Sequence, residues 1–409
     1  MIDSLRLWKA GALAALIGCL SIAPALANDV KVGVLMPRTG RYAESGLSAS
    51  RGIEMVIKEV NAAGGIKSLG GGKIDLVVAD DGSEPTNTSL EARRLMSEDK
   101  VAFILGPYST PEAQAFMPVA DRYQVGGVGL QTTLVPTTPY FSTISISAEG
   151  FGKGYADLVQ WLRKKGAKID TVAITYANND YGQIVSKTAE AALTAQGVKV
   201  LESIAVEPSV KDMTPIVLKV KNLAPDAVIS VVYFQDGLLL HRARFNLGYD
   251  DPIWIGGSAG FSDDKLWTAL GDEVAAKTLT RSFGLAFYSE DANLPGLKDA
   301  LAKGHAAYGD KILDQSFMFG VQAGRMLVRA LENAGADDPV KVNAAFRALN
   351  FEAAAPEIVL PFISGALSFD DKGMLKGTTP IFVQWKDGKK QIVYPDAIAS
   401  AKAIISGQK

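Results

Sequence analysis

Apolar positions along this chain recur in two alternating rhythms. Val30 to Met36 is a short β-rich run, followed by a turn from Pro37 to Gly46 and an amphipathic stretch from Leu47 to Ala63. Strand-like runs at Ile74 to Ala79, Val101 to Leu105 and Val125 to Leu130 then alternate with helical patterns near Ser89 to Ser97 and Pro111 to Tyr123. The strand-like runs are largely apolar on both faces, as expected of parallel strands covered by helices on each side. Strand, helix and strand at this spacing predict βαβ units.

The pattern restarts at Phe151. Helices are predicted at Phe151 to Lys165, Tyr181 to Ala195, Thr214 to Asn222 and Gly237 to Asn246, and strands at Thr171 to Tyr176, Val198 to Val206, Ala227 to Val232 and Pro252 to Gly257. From about Thr278 it changes. Leu279 to Phe287 is strand-like, two or three helices follow with the strongest at Gln315 to Asn333, and short strands fill Gly365 to Tyr394 around the turn Asp370-Asp371-Lys372-Gly373. The chain thus holds two α/β units of similar size without a sequence repeat. No low-complexity linker separates them, so short hinge segments join them and the units are expected to move relative to each other.

Length suits about two domains, at roughly 150 residues per domain. Residues 1–27 read as a secretory signal peptide: Arg6 and Lys9 form a basic start, Ala10 to Ala23 carry no charge, and Ala25-Leu26-Ala27 matches a small-x-small cleavage signal before Asn28. Leu16-Ile17-Gly18-Cys19 offers a rival, a lipoprotein box that would leave Cys19 lipidated. Leu20 to Ala27 are mostly apolar, unlike a lipoprotein tether, so plain cleavage is preferred. Cys19 is the sole cysteine, so the chain after Ala27 has no disulfide or thiolate chemistry. A net charge of −2 points to neither nucleic acid nor an anionic membrane surface, and no later segment is apolar enough to span a bilayer.

In open α/β sheets ligands bind where the C-terminal ends of strands lead into helices. In the first unit those loops are Arg38-Thr39-Gly40-Arg41-Tyr42, Gly106-Pro107-Tyr108-Ser109-Thr110-Pro111 and Gln131-Thr132-Thr133. In the second they are Asn178-Asn179-Asp180-Tyr181-Gly182, Tyr233-Phe234-Gln235-Asp236 and Gly257-Ser258-Ala259-Gly260. Together they are rich in hydroxyls, amides and aromatic rings. Candidate ligand-binding residues are therefore Tyr42, Tyr108, Ser109, Thr110, Gln131, Thr132, Thr133, Tyr181, Tyr233 and Ser258. Thr110 is a suitable helix cap and Pro111 suits the first helical position. Ser109 would then sit at the positive end of a helix, where a carboxylate is well received, although capping alone is the commoner use of such residues. Tyr181 and Tyr233 begin helices at matching positions, where they can close over a ligand or simply pack under a loop.

Catalytic and metal signatures are weak. His241 and His305 have no partner at metal spacing and read as surface residues. Gly256-Gly257-Ser258-Ala259-Gly260 has the letters of a nucleophile elbow, but only His305 lies downstream as a base. Gly70-Gly71-Gly72-Lys73 opens a strand and not a helix, which favours a glycine-rich turn over a phosphate loop. Asp80 and Asp81 read as a solvated turn. No metal, cofactor or catalytic residue is expected.

Five motifs in order carry a family resemblance: Val32-Gly33-Val34-Leu35 with Thr39-Gly40, Glu59 to Ile66, Ile104-Leu105-Gly106-Pro107-Tyr108-Ser109, Asn179-Asp180-Tyr181-Gly182, and Phe369-Asp370-Asp371-Lys372-Gly373. The chain resembles the periplasmic solute-binding proteins of branched-chain amino-acid (leucine/isoleucine/valine) ABC transporters, over its whole length after the signal. The resemblance implies the type I periplasmic-binding fold, an α/β architecture of two Rossmann-like lobes with parallel sheets and a three-crossover hinge. The crossings are expected near Ser145, Arg281 and Pro361, with 28–145 and 281–360 in lobe 1 and 146–280 and 361–409 in lobe 2. It further implies a periplasmic monomer that closes on a small-molecule solute and delivers it to a membrane permease, with no nucleic-acid partner. In relatives that bind amino acids, the serine of the third-strand loop and a threonine after the fourth strand hold the α-carboxylate. Those positions fall here on Ser109 and the Gln131-Thr132-Thr133 segment, and second-lobe tyrosines match Tyr181 and Tyr233.

One departure bears on the cargo. Such amino-acid binders place an acid after the Gly-Gly that ends the last second-lobe strand, where it accepts the ligand's ammonium. Here Ser258-Ala259 follows Gly256-Gly257, and the next acid is Asp263. A buried ammonium without a counter-charge costs several kcal/mol, so a carboxylate without the amine, or a neutral polar solute, fits the loops better, unless Asp236 or another acid is brought in by the fold. The competing functions are a ligand sensor of the same fold and, more distantly, a secreted hydrolase using Ser258.

Overall fold

The computed structural model describes residues 28–208, 210–257, 259–309 and 313–405. The expected signal segment with Cys19, and Ser258, lie outside these residues. The first half runs β1 (Val30–Met36), α1 (Ala43–Ala62), β2 (Ile74–Asp80), α2 (Pro85–Ser97), β3 (Phe103–Leu105), α3 (Thr110–Tyr123), β4 (Gly126–Gly129) and β5 (Phe141–Thr143). Among the described residues these strands form a five-stranded sheet in the order β2-β1-β3-β4-β5, parallel throughout. Strands β1 and β3 to β5 are buried almost throughout, which is why they read as continuous apolar runs. Strand β5 was not anticipated. It is three residues long and carries Ser142 and Thr143, too short and too polar to register as a strand by pattern.

The second half runs α4 (Ala148–Lys164), β6 (Thr171–Ala177), α5 (Asp180–Ala195), β7 (Lys199–Val206), α6 (Thr214–Leu223), β8 (Ala227–Val231), α7 (Phe234–Asn246), β9 (Ile253–Gly256), the short helices α8 (Ala259–Ser262), α9 (Leu266–Leu270) and α10 (Asp272–Thr278), then β10 (Phe283–Ala286). Helices α11 (Pro295–Tyr308), α12 (Gln315–Ala334) and α13 (Pro339–Arg347) follow, then the strand pair β11 (Asn350–Phe351) and β12 (Leu367–Ser368), and finally β13 (Ile381–Lys386) and β14 (Lys389–Tyr394). The larger sheet has the order β14-β13-β10-β9-β8-β6-β7. Its β10-β9-β8-β6-β7 portion is parallel, while β13 and β14 extend it antiparallel. The β13–β14 hairpin turns through Asp387 and Gly388, both at positive φ, which is the backbone a two-residue hairpin loop requires.

The chain passes between the sheets three times. The first passage lies between β5 and α4, around Ser145. The other two come later than expected. Strand β10 still pairs with β9 and β13 in the larger sheet, so the second passage follows Ala286 and not Arg281. Thr143 of the first sheet bridges Met374, so the third lies between Met374 and Ile381 and not near Pro361. Pairing with distant strands decides both positions, and no local pattern reports it.

Helix α12 returns to the first lobe and packs along α1. Its approach depends on two glycines: a Cβ on Gly52 would stand 2.1 Å from the Phe317 carbonyl oxygen, and one on Gly320 2.0 Å from that of Ala49. The N-terminus of α12 thereby reaches the space between the lobes. Asp314 caps it by accepting from the Phe317 N–H at 2.9 Å and from the Ser48 hydroxyl of α1 at 2.6 Å.

Candidate ligand-binding cleft

The C-terminal ends of β1, β3 and β4 face those of β6, β8 and β9 across a cleft, and the loops there contact one another. Arg41, after β1, reaches across to α7. Its Nη2 donates to both carboxylate oxygens of Asp236 at 2.8 Å, its Nη1 donates to the Pro208 carbonyl at 2.9 Å, and its guanidinium lies 5.8 Å from the Tyr233 ring centre. Tyr42 packs against Tyr108 of its own lobe and Tyr233 of the other, with ring centres 5.9 and 5.0 Å apart. Lys265, following the short helix α8, pairs with Asp314 at 3.0 Å. The Gln315 N–H donates to Asp264 at 3.2 Å. These contacts hold the lobes closed.

Two adjoining voids lie inside. The inner one, only about 20 Å³, is bounded by Tyr108, Ser109 and Gln131 on the first lobe and by Phe151, Tyr181 and Tyr233 on the second, with Phe287 of the hinge and Val232 and Ala259 completing the wall. The outer void is lined by Arg41, Tyr42, Tyr108, Tyr233, Asp263 and Lys265 among others. Tyr108 and Tyr233 form the partition between them. Tyr108 is braced by its hydroxyl donating to Gln131 at 3.0 Å, and the Gln131 amide reaches Ser316 of α12 at 3.4 Å.

Ser109 itself is the N-cap of α3, and Thr110 is the first helical residue, one position earlier than the expected Thr110 cap. Glu112 accepts the Ser109 N–H at 2.9 Å. The buried Ser109 side chain faces the Glu112 backbone N–H in return, which completes a capping box. It stands at the positive end of a 14-residue helix, beside the inner void. Beneath it, burial first and then Asp81 push the Glu112 carboxyl well above the usual range, and burial does the same to Asp81. Asp81 is thus a buried group and not part of a solvated turn. Asp80 stays partly exposed and accepts from the Arg38 N–H and the Thr39 hydroxyl.

Of the expected site residues, Tyr42, Tyr108, Ser109, Gln131, Tyr181 and Tyr233 border the voids. Thr110, Thr132 and Thr133 stand behind the wall. The Thr110 oxygen accepts the Thr133 N–H at 3.1 Å, and the Thr132 carbonyl accepts the Thr143 hydroxyl at 2.8 Å, so they shape the loop after β4. Phe151, Phe287 and Asp263 border the voids without having been singled out. Phe151 sits one turn inside α4 and Phe287 directly after β10, and both look like core aromatics in sequence. Asp236 is committed to Arg41. Asp263 is buried beside Asp264 and Asp314, and burial followed by those two acids pushes it up to about 7. His241 corrects the surface expectation: it is fully buried with its Nε2 3.0 Å from the Gly260 carbonyl, and burial and then Arg244 hold its pKa well below the ordinary value. His305 is exposed. Among the described residues no group of three or more His, Cys, Asp or Glu is placed to hold a metal ion, and no helix is long and apolar enough to cross a membrane.

A family model described as periplasmic binding protein matches residues 29–389. The Leu/Ile/Val-binding protein homolog 7 of Brucella suis is 28% identical over 386 residues, covering 92% of this chain and 94% of that protein. Among solved structures, the substrate-binding protein LivJ of a branched-chain amino acid transporter from Streptococcus pneumoniae, in complex with isoleucine, superposes with a TM-score of 0.76 at 19% identity, covering 90% of this chain and 100% of that one. A solute-binding protein of an ABC transporter from Rhodopseudomonas palustris, in complex with 3,4-dihydroxybenzoic acid, gives 0.73 at 23% identity, with coverage of 88% and 95%.

Proposed function

The chain belongs to the periplasmic binding protein family, and from that premise we propose that it captures a small organic acid lacking an ammonium group, an arene carboxylate, between its lobes. It is the solute-binding component of an ABC importer and not an enzyme. The handover partner is a membrane permease, and the protein works as a periplasmic monomer released by cleavage before Asn28. We take the lobe boundaries to lie around Ser145, after Ala286, and between Met374 and Ile381, a reading supported by the pairing of β10 with β9 and the bridge of Thr143 to Met374.

The observation that carries the ligand class is the lining of the inner void. It offers a helix N-terminus capped by a serine, a glutamine amide and four aromatic rings besides Tyr108, and no ionised side chain. A carboxylate is stabilised at the α3 terminus, and Phe151, Tyr233 and Phe287 offer aromatic faces to a ring. An ammonium placed there would be buried without a counter-charge. One feature favours the alternative of an α-amino acid: Asp263 in the outer void is a buried carboxyl beside Tyr108. The relatives span both classes, isoleucine in one and a dihydroxybenzoic acid in the other.

The two classes separate by thermal shift and calorimetry with benzoate, 3,4-dihydroxybenzoate, isoleucine and benzamide. A ligand present at a hundred times its Kd stabilises the folded protein by about 2.7 kcal/mol. An arene carboxylate is expected to raise the melting temperature and isoleucine to leave it unchanged. Stabilisation by isoleucine alone, lost in Asp263→Asn, would establish the amino-acid alternative instead.

A further inference from the structure

A cluster of charged side chains lies where the second lobe meets the N-terminus of α12. Asp263, Asp264 and Lys265 follow α8, and Lys390 comes from β14, all on the side of the larger sheet. Asp314 caps α12, which packs along α1 of the first lobe. Contact between the lobes therefore adds a third carboxyl to a set of two carboxyls and two ammoniums. In the closed form both ammoniums are committed. Lys265 pairs with Asp314 at 3.0 Å, and Lys390 pairs with Asp264 at 2.7 Å. Among the described residues Asp263 forms an ion pair with neither. It is 4% exposed, and its Oδ1 accepts the Lys265 backbone N–H at 3.0 Å.

The remaining groups around Asp263 do not supply the missing charge. Arg41, across the outer void, is committed to Asp236. Tyr42, Tyr108 and Tyr233 face the same void, and burial raises each phenol, so all three stay neutral. Glu44 of α1 lies 3.9 Å from Lys265 and competes for it. Glu290 and Tyr288 stand on the Asp264 side. A buried carboxylate without a counter-charge neutralises by taking a proton. Burial, then Asp314 and Asp264, push Asp263 up to about 7. Asp264 reaches only about 6, because Lys390 offsets part of its burial. When the lobes part, Asp314 leaves with α12, water reaches Asp263, and Lys265 loses the competing carboxylate. Asp263 then returns towards its ordinary range near about 4.

We propose that closure of the lobes on a carboxylate ligand takes up a proton from solvent, carried on Asp263 in the closed form, so that mild acid favours capture and neutral to alkaline conditions favour release. The device rests on the carboxylate reading made above, because a ligand ammonium at Asp263 would take the place of the proton. The closed form holds the proton more tightly than the open one. Affinity therefore falls as pH rises towards about 7 and levels off above it. An arene carboxylate is already ionised across that range, so the ligand's own titration does not contribute.

Calorimetry on the mature protein with benzoate or 3,4-dihydroxybenzoate, whichever binds more tightly, in two buffers of different ionisation enthalpy, counts the protons taken up. At about pH 6 the count is expected to be close to one, and affinity is expected to fall about tenfold or more between about pH 5.5 and 8. Asp263→Asn keeps an acceptor for the Lys265 N–H and resembles the protonated acid. It is expected to take up no proton and, at about pH 8, to bind about tenfold or more tightly than the unaltered protein, a gain that damage to the fold would not produce. Asp314→Asn leaves two carboxyls for two ammoniums, so Lys265 turns to Asp263 and the uptake is expected to disappear there too. Binding without proton uptake by the unaltered protein overturns the device and leaves the carboxylate reading standing. Uptake that persists in both variants overturns it as well. If neither acid binds, the carboxylate reading falls and the device falls with it.

Discussion

Replacing Arg41 by alanine tests whether lobe closure depends on the ion pair across the cleft. Arg41 Nη2 lies 2.8 Å from both oxygens of Asp236, and the side chains are 26% and 4% exposed respectively. Breaking a fully buried pair costs about 3–5 kcal/mol, and an exposed one about 0–1 kcal/mol. Arg41 keeps a quarter of its surface in water, and Asp236 sits in the first turn of α7, where the helix end offsets about 0.5 kcal/mol of the loss. A cost of about 2 kcal/mol is therefore expected. It falls on the closed form alone, because the partners belong to different lobes and separate into water on opening. At 1.4 kcal/mol per decade, ligand Kd should rise about 30-fold. Calorimetry with the acid that binds best in the carboxylate screen gives this number. Circular dichroism should show unchanged lobes, and small-angle scattering a smaller ligand-induced compaction. In an Asp236→Asn background the Arg41→Ala effect should shrink severalfold. Affinity within twofold of the unaltered protein in Arg41→Ala would refute a role for this pair in closure.

Three further outcomes follow from the same coordinates. Glu112, pushed up to about 8, binds a proton more readily when folded than unfolded, so its contribution is present below its ordinary range and lost as pH rises towards 8; Glu112→Gln should melt with a flatter pH dependence between about pH 5 and 8, and an unchanged slope would contradict the buried neutral acid. Gly320→Ala should lower the melting temperature despite alanine's helix preference of about 1 kcal/mol, because the new Cβ would meet the Ala49 carbonyl at 2.0 Å; a rise would show that α1 and α12 are less closely packed. Lys390 is buried, 2.7 Å from Asp264, and donates to the Ser262 carbonyl at 2.8 Å, so Lys390→Met should cost about 3–5 kcal/mol in chemical denaturation, and a loss under 1 kcal/mol would disprove its role as the counter-charge.

Local periodicity was enough to read most of the scaffold. The strands that became β1, β6 and β8 are apolar on both faces, and the helices around them have their own caps and stripes, so their existence depends on neighbours a few residues away. The loops that border the cleft were legible for the same reason, since a loop between a parallel strand and its helix has to lie at one end of the sheet. The cargo question was also posed by sequence, in the absence of an acid next to Gly257. What periodicity does not report is pairing. Strand β10 looks like the start of a new unit but hydrogen-bonds to β9 and β13, and β5 is recognisable only beside β4.

The amino-acid sequence by itself determined that this chain is a pair of α/β units with polar, aromatic loops, because those properties are set by residues close together along the chain. Tertiary structure decided which of those residues meet. It brought Arg41 to Asp236 across 195 positions, which removes that acid as a partner for an ammonium. It buried His241, which the absence of a partner at metal spacing had placed at the surface. It also packed the Tyr155 and Tyr181 hydroxyls against Gly257, where a Cβ would stand 2.7 and 3.2 Å from them. Long-range packing chooses such neighbours by burial and pairing summed over whole elements, and no single stretch of sequence contains that sum.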